Sequence, residues 1–210
     1  MIITDIKKID SKKCLICIDY EPAFALYNSE IRRYKLKTEE NLPKEVYDEI
    51  LWEVLVKRCR ERVGYILGKS DKSIYEIKMK LKQGYYPDEI IETVVEEFQK
   101  YSYLDDERYS VNYAKNNIRR KSINKIKNEL FLKGISKDLV NNALNEIEED
   151  NLLEDTQQLI IEKEFYKKKY DFVIDDKVIL GKIISSLRRK GFEFDDIMRV
   201  YNSIKKEKIC

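Results

Sequence analysis

Apolar and polar residues alternate along the first part of the chain. Isoleucine and lysine residues alternate on either side of Asp10, as apolar and polar residues do in strands that bury one face of a sheet. This pattern predicts a β-hairpin with strands at about Ile2–Ile9 and Lys13–Tyr20. Residues 21–42 follow no single period, and the pattern assigns them no element. The first 42 residues are therefore expected to form a small β-containing element.

From Pro43 onward the apolar residues follow the period of an α-helix. Ile50 and Val54 lie on one face, and the period continues as far as Leu67. Proline suits the first turn of a helix, because its missing N–H would have no intrahelical acceptor there. The pattern predicts one long helix that ends near Gly68.

An internal repeat organises the rest of the chain. Three segments align with one another, and they are Tyr75–Phe98, Asn124–Ile147 and Gly181–Ile204. Each begins with two apolar residues four positions apart and reaches a glycine soon afterwards, and an apolar anchor returns six residues after that glycine. The glycines are Gly84, Gly134 and Gly191. Each is expected to end a helix in the left-handed conformation, which glycine adopts without strain.

The spacing of these glycines indicates three helices in each repeat, because successive glycines are 50 and 57 residues apart. The first helices of the three units are expected at Glu61–Lys69, Asp105–Asn117 and Glu154–Lys168. Modules of this size bury their apolar faces by stacking on neighbours. The predicted fold is mostly α, an elongated tandem array of three three-helix repeats with a small N-terminal β-hairpin element. Its predicted divisions are residues 1–42, 43–102, 103–150 and 151–210.

Composition narrows the classes of protein. The chain has 6 glycines and 3 prolines in 210 residues, too few for a turn-rich β-sandwich. No stretch approaches the roughly 18 apolar residues of a membrane span. We therefore expect a cytoplasmic protein with no membrane partner and with its four cysteines reduced. The sequence has no histidine and no glycine-rich phosphate loop, which makes an enzyme a remote interpretation.

Charge is segregated along the chain, although the net charge is only +2. Between Lys115 and Lys137, eight basic residues stand against one acid, Glu129, a local charge of +7. The next segment, Asp138 to Asp150, has five acidic residues and no basic one. Such a distribution favours a partner that is itself charged.

Two strings in the second repeat resemble the RecX family of regulators of RecA recombinase. They are YLDDERY at 103–109 and IKNELFLKGI at 126–135. The resemblance covers about residues 60–205 and is strongest in this repeat. It departs in the first repeat, where the interval from Leu81 to Gly84 is one residue shorter, and in the third, where the link Phe165–Asp176 is longer.

The resemblance implies a negative regulator that lies in the groove of the RecA–DNA filament. Such a protein would inhibit the ATPase, strand-exchange and coprotease activities of RecA by limiting or destabilising the filament. It would contact DNA within or near the filament, bind DNA only weakly alone, and act as a monomer without a cofactor. The residues also allow a second interpretation, a stand-alone DNA-binding protein built of tandem helix-turn-helix-like modules.

Ten cations are the candidate residues for binding a partner or DNA. They are Arg108, Arg119, Arg120, Lys121, Lys125, Lys127, Lys133, Arg188, Arg189 and Lys190. Lys125 lies one helical turn from Glu129 and can pair with it, whereas residues 119–121 and Lys127 have no comparable local acid. A solvated face accounts for such a cluster as readily as contact with phosphates or an acidic protein. For residues 188–190, a favourable interaction with the end of a helix dipole is a further explanation.

Three other groups have structural explanations that outweigh chemical ones. Residues 105–107 (Asp-Asp-Glu) open a helix, so capping of its free N–H groups is favoured over metal binding. Six tyrosines between Tyr85 and Tyr113 are expected to pack between repeats rather than to stack on bases. Cys14 and Cys17 are three apart on a predicted strand and would point to opposite faces, which excludes a zinc site.

Overall fold

The computed structural model describes residues 1–149 and 154–209, and most of these residues are helical. The chain divides into two compact units, Met1–Asp105 and Asp106–Cys210. The predicted boundary between residues 150 and 151 falls outside the described residues. Among the helices described, none is long and apolar enough to cross a membrane.

The first unit begins with a three-stranded antiparallel sheet in the order β1 (Ile3–Lys8), β2 (Lys13–Ile18) and β3 (Glu21–Tyr27). The small β element and its hairpin of β1 and β2 are confirmed, and a third strand extends the hairpin within the segment to which the pattern assigned no element. Asp19 and Tyr20 connect β2 to β3, and their φ angles are +48° and +71°. Two positive φ angles define the tight turn that twisted antiparallel strands favour, a turn usually marked by glycine. Neither residue is glycine, so the sequence signal for this turn is absent.

Five helices of this unit share a core with the sheet. They are α1 (Asn28–Arg33), α2 (Lys44–Glu49), α3 (Val56–Leu67), α4 (Ile74–Lys82) and α5 (Asp88–Lys100). A π-helical turn, Ile50–Leu55, joins α2 to α3, so the predicted long helix is interrupted by a widened turn. Phe24 and Leu26 of β3, both fully buried, share one core with Leu55, Leu81 and Ile90. The sheet is therefore part of the core of the first repeat.

The second unit holds six described helices. They are α6 (Asp106–Asn117), α7 (Ile123–Leu132), α8 (Lys137–Glu149), α9 (Glu154–Lys167), α10 (Lys177–Arg189) and α11 (Phe194–Ile209). Ile126, Leu130 and Val140 are central to one core, which α6, α7 and α8 enclose. Phe165 and Tyr201 are central to a second core, rich in aromatic residues, which α9, α10 and α11 enclose. Three-helix modules thus account for both halves of this unit.

The helices α4, α7 and α10 end in the same way. In each, a backbone N–H donates to the carbonyl five residues earlier, and the pairs are Tyr86–Leu81 at 3.3 Å, Ile135–Leu130 at 3.1 Å and Phe192–Leu187 at 3.2 Å. This bond is typical of helices that end on a left-handed residue. Gly134 and Gly191 occupy that position, with φ of +78° and +88°, as predicted. In the first repeat the prediction is wrong, because Tyr85, not Gly84, takes the positive φ, at +58°.

The one-residue difference in the first repeat explains this exchange. Counted from the last buried leucine, the left-handed residue is always the fourth, and in the first repeat the fourth residue is Tyr85. Gly84 has another role, since a Cβ there would lie 3.1 Å from the ring of Tyr86. That glycine therefore allows an aromatic ring to pack closely against the helix end.

Candidate functional site

The two basic segments of the second unit, residues 119–121 and 188–190, lie next to each other. The backbone N–H of Ser122 donates to the carbonyl of Lys190 at 3.0 Å. The Ser122 hydroxyl donates to the carbonyl of Gly191 at 2.6 Å and accepts from the backbone N–H of Lys125 at 3.2 Å. Ser122 is thus the N-cap of α7 and also holds the end of α10. We name this contact, formed by Ser122, Lys125 and residues 189–191, the repeat joint.

Lys125 contributes a third bond to the repeat joint. Its Nζ donates to the carbonyl of Arg189 at 2.5 Å. A cation that binds a carbonyl at the C-terminal end of a helix also interacts favourably with the helix dipole. The expected pairing of Lys125 with Glu129 is therefore wrong, because the lysine side chain extends to the next module.

Gln157 of α9 stabilises the loop between α6 and α7. Its side-chain amide nitrogen lies 3.3 Å from the carbonyls of both Ile118 and Lys121, and its oxygen accepts from the backbone N–H of Ile123 at 3.1 Å. These are backbone groups that a helix end and a helix start leave without intrahelical partners. Sequence reasoning did not identify Gln157, because its partners are more than 30 positions away along the chain.

Lys121 has an acidic partner, contrary to the prediction. Its Nζ donates to Glu129 at 2.7 Å, and the Tyr113 hydroxyl donates to the same carboxylate at 2.7 Å. Partial burial opposes ionisation of both charged groups, but the hydrogen bonds outweigh it. The pKa of Glu129 is consequently lowered and the pKa of Lys121 is raised. Burial, followed by the bond to Glu129, raises the pKa of Tyr113.

Lys190 is also an ion-pair residue. Its Nζ lies 2.6 Å from the carboxylate of Glu164, which accepts a second bond from the Ser186 hydroxyl at 2.8 Å. Burial of Glu164 favours its neutral form, yet these hydrogen bonds lower its pKa overall. Lys121 and Lys190 therefore stabilise the two modules, and neither is available as a free cation.

The other sequence candidates fall into two groups. Lys133 lies over the rings of Tyr109 and Tyr113, at 5.9 and 5.4 Å from their centres, and Arg108 is exposed on α6, outside the segments that form the repeat joint. Four exposed arginines flank the joint, and we name them the joint arginines: Arg119, Arg120, Arg188 and Arg189. Within residues 1–149 and 154–209, neither they nor Lys127 has a carboxylate oxygen within 4.0 Å.

The joint arginines are close together because of backbone contacts rather than side-chain pairing. Arg119 and Arg120 immediately precede the Ser122 segment, and Arg188 and Arg189 end α10. Four like charges held near one another repel, and this repulsion is reduced when an anionic partner binds. A cavity of about 510 Å³ lies beside the joint and is lined in part by Ser122, Gln157, Gly191 and Arg199. The arrangement is suited to binding an anionic surface next to a concave wall.

The acidic residues, tyrosines and cysteines singled out from the sequence do not form a metal-binding cluster among the residues that the structure describes. Asp106 and Glu107 lie in the first turn of α6, as expected of residues that interact favourably with a helix N-terminus. No cluster of three potential metal-binding side chains occurs in the described part of the chain. Cys17 is buried in the sheet while Cys14 is half-buried. Of the tyrosines, Tyr109 is buried, whereas Tyr103 is 67% exposed.

These features define a class: a helical repeat protein that presents unpaired arginines at a joint between three-helix modules. Residues 105–144 match the family model described as RecX, second three-helix domain. The chain is 28% identical over 209 residues to the Regulatory protein RecX of Clostridioides difficile (strain 630), covering 97% of this chain and 95% of that one. It is 26% identical over 200 residues to the Regulatory protein RecX of Clostridium tetani (strain Massachusetts / E88), covering 95% and 92%.

Two solved structures have the same fold. A crystal structure of regulatory protein RecX covers 96% of this chain and 98% of its own, with a TM-score of 0.57 and 19% identity. The crystal structure of RecX from Lactobacillus salivarius covers 71% and 96%, with a TM-score of 0.56 and 20% identity. The similarity to the RecX family that the motifs predict is confirmed over nearly the whole chain.

Proposed function

We propose that this protein is a negative regulator of RecA that binds the RecA–DNA filament. It inhibits the ATPase, strand-exchange and coprotease activities of RecA by limiting or destabilising the filament. Similarity to proteins named Regulatory protein RecX supports the proposal. The structural observation that carries it is the set of four joint arginines without carboxylate partners among the described residues.

The joint fits this role because its backbone is fixed while its arginines are exposed. Ser122 and Lys125 hold the end of α10 with three hydrogen bonds of 2.5–3.0 Å. Guanidinium groups bind carboxylates and phosphates through paired N–H donors, so they can contact RecA or the DNA within the filament. Since the anchoring groups are already ordered, binding immobilises only the arginine side chains.

The test is RecA ATP hydrolysis on single-stranded DNA, measured on pre-formed filaments with increasing amounts of this protein. We expect dose-dependent inhibition by the wild type. Arg119→Ala/Arg120→Ala should need about 10–30-fold more protein for the same inhibition, because each exposed guanidinium is expected to contribute about 1 kcal/mol to binding. Lys121 is left intact, because its removal would unpair Glu129 and disturb the fold.

The matched control is Lys115→Ala/Lys205→Ala. It removes the same charge from the same unit, but from residues paired with Glu146 at 2.8 Å and Asp175 at 2.7 Å. The control should inhibit like the wild type. Equal loss of inhibition in both variants would show that only overall charge matters, and an unaffected ATPase with wild-type protein would contradict the proposal.

The unpaired arginines also favour one second candidate, a stand-alone DNA-binding protein. Cations of this kind can bind phosphates directly, and such binding weakens steeply as salt is raised. Tight, salt-sensitive binding to naked DNA together with an unchanged RecA ATPase would favour this alternative. Weak binding to naked DNA together with strong inhibition of RecA would exclude it.

A further inference from the structure

The first unit has a basic groove that has no part in the repeat joint. It is a cavity of about 480 Å³ bordered by the sheet and by α3 and α4. Its cations are Lys13 of β2, Arg58 and Arg62 of α3, and Lys80 of α4, and its one acid is Glu61. We name this cavity the sheet groove.

The charge of the sheet groove is opposite to that of its unit. Residues 1–105 include 19 basic and 20 acidic side chains, a net charge of −1. The groove nevertheless has four basic residues and one acidic residue on its walls. Its positive potential is therefore local, and a low-dielectric wall of protein focuses such a potential into a cleft.

Arg58 forms a rigid part of the groove wall. Its guanidinium pairs with Glu30 at 2.5 Å, donates to the carbonyl of Ala25 at 3.1 Å and lies 4.7 Å from the ring centre of Tyr27. Lys13 lies 4.8 Å from the same ring centre. These contacts fix the sheet against α3, so the groove exists before any ligand binds.

Three cations of the groove remain without acidic partners. Among the described residues, Lys13, Arg62 and Lys80 have no carboxylate oxygen within 4.0 Å. They come from three different elements and line one concavity. An anion placed there would be attracted from several sides, and the mutual repulsion of the three cations would decrease.

The groove has a neutral and fixed side at the end of α4. Tyr86 supplies an uncharged phenol, and burial raises its pKa to about 12. Its ring packs against Gly84, where a Cβ would come within 3.1 Å of it. The neighbouring Tyr85 carbonyl accepts from the backbone N–H of Ala25 at 3.3 Å, which fastens β3 to this helix end.

A row of cations continues from the groove along α3. Arg58, Arg62 and Tyr65 are four and three residues apart and share one face of the helix. Lys69 lies 4.3 Å from the ring centre of Tyr65. From Arg58 to Tyr65 this face spans about 10 Å at the rise of an α-helix, and Lys69 follows just beyond the end of α3. Among the described residues, Arg62 and Lys69 have no carboxylate oxygen within 4.0 Å, so they extend the positive charge beyond the groove, as binding of an extended polyanion such as a nucleic-acid backbone requires.

We propose that the sheet groove binds the phosphodiester backbone of a nucleic acid, without regard to base sequence. The groove supplies point charges from Lys13, Arg62 and Lys80, and its fixed walls make no provision for reading bases. The site is separate from the joint arginines and requires no RecA. This proposal can therefore be confirmed or refuted independently of the proposed regulatory function.

The test is fluorescence anisotropy of a fluorescein-labelled oligo(dT) strand with the full chain, without RecA, over a series of salt concentrations. The variant is Lys13→Ala/Arg62→Ala/Lys80→Ala. We expect its Kd to rise at least about tenfold. The slope of log K against log salt should become shallower by about 2, since each phosphate neutralised on a single strand adds about 0.7 to that slope.

The matched control is Arg33→Ala/Lys37→Ala/Lys82→Ala. It removes three cations from the same unit, but each already has a carboxylate partner, at 3.8, 3.1 and 3.0 Å. Its Kd and salt slope should stay within about twofold of the wild-type values, as expected for exposed, already neutralised pairs. Circular dichroism establishes that both variants are folded.

Two outcomes would overturn the proposal. One is unchanged oligo(dT) binding by the groove variant, and the other is equal weakening by variant and control. If the groove variant binds oligo(dT) normally and also no longer inhibits RecA, the groove is assigned to an acidic protein surface. If the wild type leaves RecA unaffected while the groove variant alone loses oligo(dT) binding, the regulatory proposal fails and this one holds.

Discussion

Replacing Gly191 by alanine should destabilise the second unit more than the equivalent change at Gly134. Both glycines end a helix with positive φ, at +88° and +78°. At Gly191, however, the new Cβ would lie 2.6 Å from the Cβ of Lys125 and 2.6 Å from the hydroxyl oxygen of Ser122. Separations this short cannot be kept, so α10 and α7 must move apart at the repeat joint.

The magnitude follows from two contributions. A left-handed conformation costs an L-residue about 1–2 kcal/mol, and forcing an extra methyl into a packed contact costs about 1–3 kcal/mol. We therefore expect Gly191→Ala to lower the free energy of unfolding by about 2–5 kcal/mol, and exposed Gly134→Ala by about 1–2 kcal/mol. The larger decrease is a substantial part of the roughly 5–15 kcal/mol that stabilises a typical domain.

Urea unfolding followed by far-ultraviolet circular dichroism measures both variants against the wild type. The comparison tests the joint, because both substitutions strain the backbone, and the contact with Ser122 and Lys125 belongs to Gly191. Equal decreases of stability in the two variants would refute the close approach of α10 to α7. The positions of the joint arginines would then need another explanation.

Two further predictions concern a backbone conformation and a pair of carboxylates. Tyr85→Gly should raise the free energy of unfolding by up to about 1 kcal/mol in urea titrations, since glycine takes φ of +58° without strain; a decrease in stability would mean that the exposed tyrosine ring contributes more than its backbone costs. Glu129 and Glu164 have pKa values below the ordinary 4.5, so their ion pairs stabilise the fold above that pH, and this contribution is lost as pH falls through the lowered values. The urea midpoint should therefore drop on acidification, and Glu129→Gln, less stable at pH 7, should show a smaller drop; an identical pH profile would contradict the role of the pair with Lys121.

Local chemistry made much of the fold predictable. Buried residues such as Ile126 and Leu130 recur with the helical period, and Gly134 follows them where a helix must end. These signals depend on a few neighbouring residues, so a single sequence reveals them. The turn at Asp19 and Tyr20 was missed, because its two positive φ angles occur without the glycine that usually marks them.

The candidate site was less predictable, because its pairings cross between elements. The eight positions separating Lys121 from Glu129 include a loop and the start of a helix, and no helical spacing rule connects them. Lys125 binds a carbonyl 64 residues away, although a perfectly spaced acid lies one turn from it. The sequence identified a basic segment correctly, but only the fold shows which of its cations form ion pairs or hydrogen bonds within the protein.

The shared ending of α4, α7 and α10 has a consequence for comparing repeats. If the repeats are aligned on their glycines, Gly84 is matched with Gly134 and Gly191, and Leu81 with the rest of α4 is displaced by one residue from its counterparts on α7 and α10. If they are aligned on Leu81, Leu130 and Leu187, the bonds from Tyr86, Ile135 and Phe192 coincide. The end of each helix is thus defined by its hydrogen bonds rather than by its glycine. A deletion of one residue leaves these bonds in place, and the next residue along the chain then takes the left-handed conformation. Searches for diverged copies should count from the buried leucine and leave the glycine optional.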